Sequence, residues 1–280
     1  MGSRTAESAF SRAFALPEII LAIMHQMDMR TLINCQRVSH NWATLIRHSA
    51  SLQRALYFLP REAPSRKPVR VYNELLAEIF PSCFPAPGAP DQELELTSIT
   101  FVDDPETLKV FLRPEASWRR MLTTQPPIHT VGTFVAGTTE SIGLRWQQSK
   151  AEPLPDGLRM GVLFETLLSV SEWTWQNETT WIARGGTQPV NATEPFVQPS
   201  DFMRVDDMNA DWERTIRDLD LVIVTFGHAD DSAPEDSDLE LLHGADAMVW
   251  RKLRAAYKEL GLTVGGLVME KYNEGTETWH

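Results

Sequence analysis

The fold of the first part of this chain is decided by two stretches, Phe-Ala-Leu-Pro-Glu-Ile-Ile-Leu-Ala-Ile at residues 14–23 and Leu-Ile-Asn-Cys-Gln-Arg-Val-Ser-His-Asn-Trp-Ala-Thr-Leu-Ile at residues 32–46. Within and just after the first stretch, apolar residues recur in steps of four, three and four, the spacing of one helix face; they are Leu16, Ile20, Ile23 and Met27. Pro17 suits the first turn of that helix, because proline is tolerated there.

Three more short helices are predicted up to residue 57. The third helix of the set follows Ser39, whose hydroxyl can accept a hydrogen bond from a free amide at the helix start. The apolar positions are Leu32 and Cys35 in the second helix, Trp42, Leu45 and Ile46 in the third, and Leu52 and Leu56 in the fourth, which Ser49 or Ser51 caps. About forty residues of short helices cannot enclose their own apolar surface, so part of it is expected to be buried against another body.

The order of these elements resembles the F-box family over about residues 14–57. The resemblance rests on the Leu-Pro opening at Leu16 and Pro17, the Ile/Leu/Met stripe, Arg37-Val38-Ser39, and Trp42 three residues later. It implies binding to a Skp-family adaptor, which joins a cullin and a RING subunit in an SCF-type ubiquitin ligase, while the rest of the chain presents a protein substrate. The implied adaptor-binding residues are Leu16, Pro17, Ile20, Ile23, Leu32, Cys35, Val38 and Trp42.

Three further stretches are similar to filamentous-fungal members of that family: residues 50–60, 116–127 and 157–161. The periodicity of the first sixty residues alone is equally consistent with a plain helical bundle whose leucine, isoleucine and tryptophan side chains are all core. The ordered motif favours the F-box interpretation.

Charge is distributed unevenly along the 280 residues. Residues 1–72 carry ten Lys/Arg and four Asp/Glu, a net charge of +6, whereas residues 73–280 carry sixteen and thirty-four, a net charge of −18. An acidic body repels phosphate backbones, so we do not expect nucleic acid as a partner. We expect a basic protein substrate instead.

Neither a signal peptide nor a membrane span is predicted, and we expect an intracellular protein of the cytoplasm or nucleus. Two cysteines, Cys35 and Cys83, support neither a disulfide framework nor a zinc site.

The predicted fold class is α+β: an N-terminal arm at 1–13, an F-box module of short helices at 14–58, a linker at 59–72 rich in proline and basic residues, and an acidic α+β domain without repeats at 73–280. In that domain the patterns predict a loop at 81–90, helices at 72–80, 117–122, 157–170, 206–219 and 246–260, the last ending at Gly261, and strands at 94–102, 221–226 and 262–270.

Few patterns in the second part indicate chemistry. His228, Asp230 and Asp231 follow a predicted strand, where ligands often bind, but the pattern favours a solvated acidic loop that extends to Glu240. Trp173, Trp175 and Trp181 fit either sheet core or a stacking platform for a ligand. No nucleophile, phosphate-loop, zincin or dinucleotide motif is found. We therefore expect no catalytic residue, metal or cofactor. The alternatives are a small-molecule-binding or enzymatic α+β domain that carries an F-box, and an F-box protein that uses the adaptor without degrading anything.

Overall fold

The computed structural model describes seven stretches of the chain: residues 16–61, 70–84, 94–139, 143–170, 176–184, 206–229 and 245–277. The chain divides into two compact units, Met1–Glu62 and Ala63–His280, called unit 1 and unit 2 below. The residues 1–13 interpreted as an arm lie outside the described residues, as do 62–69 of the interpreted linker. Val71 and Tyr72, at the end of that linker, lie in a strand of unit 2.

The described residues of unit 1 form four short helices: α1 (Pro17–Met24), α2 (Met29–Cys35), α3 (His40–His48) and α4 (Ala50–Ala55). The caps predicted for α3 and α4 are confirmed, since Ser39 Oγ accepts from the Trp42 amide at 3.2 Å and Ser49 Oγ accepts from the Leu52 amide at 3.4 Å. Such a cap contributes about 1 kcal/mol by satisfying an orphan amide. The core of the unit is aliphatic and fully buried, with Met24, Leu32, Ile46, Leu52 and Leu56 at its centre.

Unit 2 mixes helices and strands. Its helices are α5 (Glu74–Ile79), α6 (Pro105–Phe111), α7 (Ser117–Arg120), α8 (Met160–Val170), α9 (Asp206–Asp218) and α10 (Ala245–Glu259). Its strands are β1 (Val71–Tyr72), β2 (Thr124–Gln125), β3 (Val131–Thr139), β4 (Gly143–Lys150), β5 (Gln176–Arg184), β6 (Leu221–Ala229) and β7 (Glu270–Glu277). Short 3-10 turns occupy Pro81–Cys83, Leu96–Ser98 and Thr100–Val102. The predicted α+β class, with a helical first region, is confirmed.

Five strands form one mixed sheet in the order β5-β6-β3-β4-β7, and β1 pairs with β2 separately. Strands β3 and β6 are parallel, and the other neighbours are antiparallel. One face of the sheet packs under α9, where Trp212 meets Phe134 in an edge-to-face contact with ring centroids 5.4 Å apart. The continuous apolar run of β6 is buried on both faces, as its β-branched sequence predicts.

A second core lies among helices rather than on the sheet. Phe80, at the end of α5, has its ring 5.1 Å from Trp118, 5.6 Å from Phe164 and 5.8 Å from Phe101. Aromatic pairs at these separations add about 0.5–1.5 kcal/mol each beyond the area they bury. This cluster therefore ties α5, α7, α8 and the turn at Thr100–Val102 together.

The strand predicted at 94–102 is wrong, because this stretch forms two 3-10 turns. The bonds of both turns span three residues, as in a 3-10 helix: the Ile99 amide donates to the Leu96 carbonyl, and the Val102 amide donates to the Ile99 carbonyl. The Oγ of Ser98 donates to the carbonyl of Glu95 at 2.6 Å and so supports the first of the turns.

The strand predicted at 262–270 is also wrong, since the strand begins only at Glu270. The preceding segment bonds to side chains of α8: the Gly265 amide donates to Glu165 Oε2 at 3.1 Å, and the Leu267 amide donates to Thr166 Oγ1 at 2.9 Å. A Cβ on Gly266 would lie 2.7 Å from Thr166 Cα, so only glycine allows this close crossing. The residues 262–269 are called the strap below.

The helices predicted for unit 2 and the strand predicted at 221–226 are confirmed in type, with small differences at their ends. Helices form within the predicted 72–80, 117–122, 157–170 and 206–219, and α10 ends at Glu259, two residues before Gly261, which has a φ of +65°. Of the loop predicted at 81–90, residues 81–83 form a 3-10 turn and residues 85–90 lie outside the described residues. The hairpin of β3 and β4 was not predicted. Glycines and threonines interrupt its apolar pattern, which weakens the strand signal.

Candidate functional site

The first helix of unit 1 leaves an apolar surface open. Leu16, Ile19 and Ile23 are 50%, 37% and 37% exposed, and their spacing of three and four residues puts them on one side of α1. We call these three residues the apolar ridge. Val38, in the turn between α2 and α3, is exposed by 64%. Four exposed aliphatic side chains in so small a unit are typical of a surface that a partner covers.

The structure divides the eight residues that the resemblance implied. Leu16, Pro17, Ile23 and Val38 are exposed and Trp42 is half-buried, whereas Ile20, Leu32 and Cys35 are buried inside unit 1. Ile19 belongs to the exposed set and was missed. A helical stripe defines a face only to within one residue, so the sequence alone did not separate the inward Ile20 from the outward Ile19.

Helix caps and one hydrogen bond between helices hold the ridge in place. Leu16 is the N-cap of α1, and the Ile20 amide donates to its carbonyl. At the other end of α1, His25 Nε2 lies 3.0 Å from Ser51 Oγ in α4, which joins two helices far apart in sequence. Asp28 caps α2 by accepting from the Thr31 amide at 2.9 Å, a bond that lowers the pKa of this carboxyl. The ridge therefore has a fixed start and a fixed end.

The comparison with protein families agrees with this geometry. Residues 17–59 match the F-box-like family. The match covers a small part of the chain and lies wholly within unit 1. No curated protein matches the chain, and no solved structure matches it. The F-box-like domain supports a role in binding the Skp-family adaptor of SCF-type complexes, as F-box domains do in general, and F-box proteins are generally non-catalytic. The filamentous-fungal type stays a prediction.

Two of the stretches that resembled the fungal members contact each other in unit 2. The Met160 amide donates to the Met121 carbonyl at 2.8 Å, and the Thr123 amide donates to the Leu158 carbonyl at 3.1 Å. A Cβ on Gly161 would lie 2.9 Å from the carbonyl oxygen of Arg119, so glycine allows α8 to approach α7 this closely. The two stretches form one structural joint.

A partly buried ion pair lies beside that joint. Arg119 pairs with Glu165, and both are close to the hydroxyl of Tyr257, which is 3.1 Å from Arg119 Nη1 and 3.3 Å from Glu165 Oε1. Burial raises the pKa of Tyr257 to about 12, with Arg119 opposing and Glu165 reinforcing that rise. Glu165 also accepts from the strap, so this cluster connects α7, α8, α10 and the strap. Its groups are all engaged with one another, which is typical of a structural cluster.

The candidate chemistry of unit 2 falls mostly outside the described residues. Asp230, Asp231, Trp173 and Trp175 lie outside them, and so do the side chains of His228 and Trp181. Within the ranges that the structure describes, no group of three or more His, Cys, Asp or Glu side chains is placed to hold a metal ion. In the same ranges no helix is both long and apolar enough to cross a membrane.

Proposed function

We propose that this chain is the substrate receptor of an SCF-type ubiquitin ligase. The observation that carries the proposal is an F-box-like domain at 17–59 whose first helix exposes the apolar ridge. Unit 1 binds a Skp-family adaptor, through it a cullin–RING scaffold, and unit 2 recruits a protein substrate. A receptor of this kind needs no catalytic residue, because it acts by raising the effective concentration of substrate lysines near the ubiquitin-loaded enzyme.

The eight implied residues take two roles in this proposal. Leu16, Pro17, Ile23 and Val38, joined by Ile19 and by the half-buried Trp42, contact the adaptor, because their side chains are at least partly open to it. Ile20, Leu32 and Cys35 set the shape of the surface from within. Complete burial of an aliphatic side chain contributes about 1.5–3 kcal/mol of free energy. The three ridge side chains are only partly exposed, so their burial under the adaptor contributes a few kcal/mol of binding free energy in total.

The test replaces the two isoleucines of the ridge by glutamate. We expect the double variant Ile19→Glu and Ile23→Glu to weaken adaptor binding at least a hundredfold, because two carboxylates would be desolvated in an apolar interface. Titration calorimetry with the purified full chain and a Skp-family adaptor measures this change. Both side chains are already partly in water, so the fold of unit 1 should survive.

The matched control is Asn41→Glu, which adds a carboxylate at an exposed polar position of α3. It should bind the adaptor within about threefold of the parent chain, a difference below 1 kcal/mol. The truncation Leu16→Ala with Pro17→Ala removes one apolar anchor and the rigid helix start, and should weaken binding at least tenfold. Unchanged binding by both double variants would place the adaptor elsewhere.

A further inference from the structure

Lysine is scarce in this chain and is missing from unit 1. Of the 26 lysine and arginine residues six are lysines, and none of the six lies in residues 1–62, which hold seven arginines. Arginine stays protonated near neutral pH, whereas a lysine amine can lose its proton and accept an acyl group. Unit 1 therefore has positive charge but no lysine for an acylating enzyme. The six lysines are Lys67, Lys109, Lys150, Lys252, Lys258 and Lys271.

A ligase subunit brings its own lysines, as well as those of the substrate, close to the ubiquitin-loaded enzyme. Assembly raises the effective concentration of every amine that it holds near that enzyme. Acceptance of ubiquitin also requires a neutral and accessible amine, because the protonated form has no lone pair for the attack. The lysines of unit 2 therefore differ as acceptors according to what surrounds each amine.

Two of these lysines are in ion pairs on the helical side of unit 2. Lys109 Nζ lies 2.9 Å from Glu259 Oε1, and the hydrogen bond and charge of Glu259 raise the pKa of Lys109. Lys252 Nζ lies 3.3 Å from Asp103 Oδ1. Each pair reduces the share of neutral, unbonded amine. Because exposed ion pairs are weak, we expect a severalfold effect on reactivity and not a complete block.

Both lysines of the five-stranded sheet also have partners. Lys150 Nζ, at the end of β4, lies 5.6 Å from the centre of the Tyr272 ring, within the range of a cation–π contact. Lys271, in β7, has an interaction of its own. Lys67 lies outside the described residues.

Lys258, in the last turn of α10, has a different environment. It is exposed, and its side chain forms no hydrogen bond or ion pair with any residue in the described part of the chain. Glu259, the next residue, is already paired with Lys109. Ala255 precedes Lys258 by three residues on the same side of the helix, is exposed, and is too small to shield the amine. The amine of Lys258 is therefore open to an acylating reagent.

We infer that Lys258 is the lysine on which this receptor is itself ubiquitinated, and that unit 1 is left unmodified. In this step the neutral Nζ of Lys258 attacks the carbonyl carbon of the thioester that joins the C-terminus of ubiquitin to a cysteine of the loaded enzyme. A C–N bond forms, the C–S bond breaks, the sulfur leaves as a thiolate, and the proton of the amine passes to solvent. No oxidant or reductant is needed.

The inference rests on the proposed receptor function and adds a modification site to it. Ubiquitin on α10 marks the receptor for its own turnover. The absence of lysine from unit 1 means that no ubiquitin is attached through a lysine side chain beside the apolar ridge, so the adaptor contact stays open.

The first experiment measures the reactivity of each lysine without the ligase. The full chain is treated with a limiting amount of the N-hydroxysuccinimide ester of acetic acid, and mass spectrometry gives the acetylation rate at each lysine. We expect Lys258 to react at least threefold faster than Lys109 and Lys252. In concentrated urea the three rates should become equal, since the ion pairs are then lost. Equal rates in the folded chain would overturn the inference.

The second experiment reconstitutes the ligase with the full chain, a Skp-family adaptor, a cullin–RING scaffold, the loaded enzyme and ubiquitin. We expect Lys258 to be the main modified lysine in peptide mass spectrometry, and Lys258→Arg to lower self-ubiquitination at least fivefold. The matched control Lys252→Arg, on the same helix and with the same change, should lower it less than twofold.

Three outcomes would contradict the inference, and one of them would also contradict the proposed function. Equal losses in Lys258→Arg and Lys252→Arg, or modification mainly at another lysine such as Lys67, would overturn the modification site while the receptor function stands. Failure of the parent chain to bind the adaptor in calorimetry would overturn the receptor function, and the modification site with it.

Discussion

Gln148 is a fully buried amide in the middle of β4, and neither its Nε2 nor its Oε1 has a hydrogen-bond partner within the described part of the chain. An unsatisfied buried polar group costs about 1–3 kcal/mol of folding free energy. We expect Gln148→Met, which fills nearly the same volume without polar atoms, to raise the free energy of unfolding in urea by about 1 kcal/mol. The control is Gln147→Met on the neighbouring residue, whose Nε2 donates to Ser149 Oγ at 3.2 Å; that change should not stabilise. A loss of stability in Gln148→Met would contradict the prediction.

Asp220 is the opposite case, a half-buried carboxylate with many partners. It accepts from Arg70 at 2.5 Å, from the His129 amide at 2.8 Å and from the Thr130 amide at 3.1 Å. Burial opposes its ionisation, but the two amides and the guanidinium outweigh burial, and the pKa of Asp220 is lowered from its ordinary value of 3.8. The stability that this carboxylate contributes is therefore present above pH 3.8 and is lost as the pH falls through its lower value in the folded state.

The lowered pKa of Asp220 leads to a prediction for the variant Asp220→Asn. The variant should lose about 1–3 kcal/mol of unfolding free energy at pH 7, because hydrogen bonds to a charged group are replaced by weaker ones. Its stability should also change less than that of the parent chain between pH 5 and pH 3. Urea unfolding at a series of pH values measures both quantities. If the unfolding free energies of the two proteins changed in parallel between pH 5 and pH 3, the role of the Asp220 carboxylate in stability would be contradicted.

Among the elements of unit 2, the close contact between α7 and α8 depends on the glycine at position 161. Alanine at position 161 gains up to about 1 kcal/mol of helix propensity over glycine, but its Cβ would lie 2.9 Å from the Arg119 carbonyl oxygen and 3.0 Å from Arg119 Cβ. We expect the crowding to prevail, so that Gly161→Ala lowers the unfolding free energy by about 1–3 kcal/mol. Ser169→Ala, near the other end of α8, is the control and should change it by less. A higher unfolding free energy for Gly161→Ala would contradict the prediction, because it would mean that α7 and α8 can move apart without cost.

The elements also show how far the sequence determines the fold. Caps such as Ser39 are predictable because the cap and the amide it satisfies are three residues apart. The strap was not predictable, because its amides bond to the distant side chains of Glu165 and Thr166. The turns at 94–102 have local bonds, but their buried Leu94 and Leu96 alternate with polar residues as in a strand, so the pattern predicted the wrong element. Within the apolar ridge, Leu16 and Ile23 were predicted and Ile19 was not. The side of α1 that faces the core is set by its packing against α2 to α4, and the sequence of α1 alone does not determine it.

At the scale of the whole molecule, unit 1 exposes apolar surface that its own helices do not cover. Leu16, Ile19, Ile23 and Val38 would favour self-association of the isolated chain. We expect co-expression with a Skp-family adaptor to raise the monodisperse fraction in size-exclusion chromatography severalfold. The Ile19→Glu, Ile23→Glu chain, in which two charges interrupt this surface, should be monodisperse alone and should gain nothing from the adaptor. An equal yield of monodisperse parent chain with and without the adaptor would mean that the helices close on themselves.

The two units also differ in how much of the chain must exist before they can fold. Unit 1 is made from neighbouring helices, so its contacts are complete once the ribosome has released about the first sixty residues. The central sheet can form only later, because β3 pairs with β6 at Val131↔Leu221. The edge strand of the sheet, β7 at Glu270–Glu277, is synthesised last. Long-range pairing of this kind is slow. We therefore expect the adaptor to capture the growing chain during translation, covering the apolar ridge while unit 2 is still unfinished.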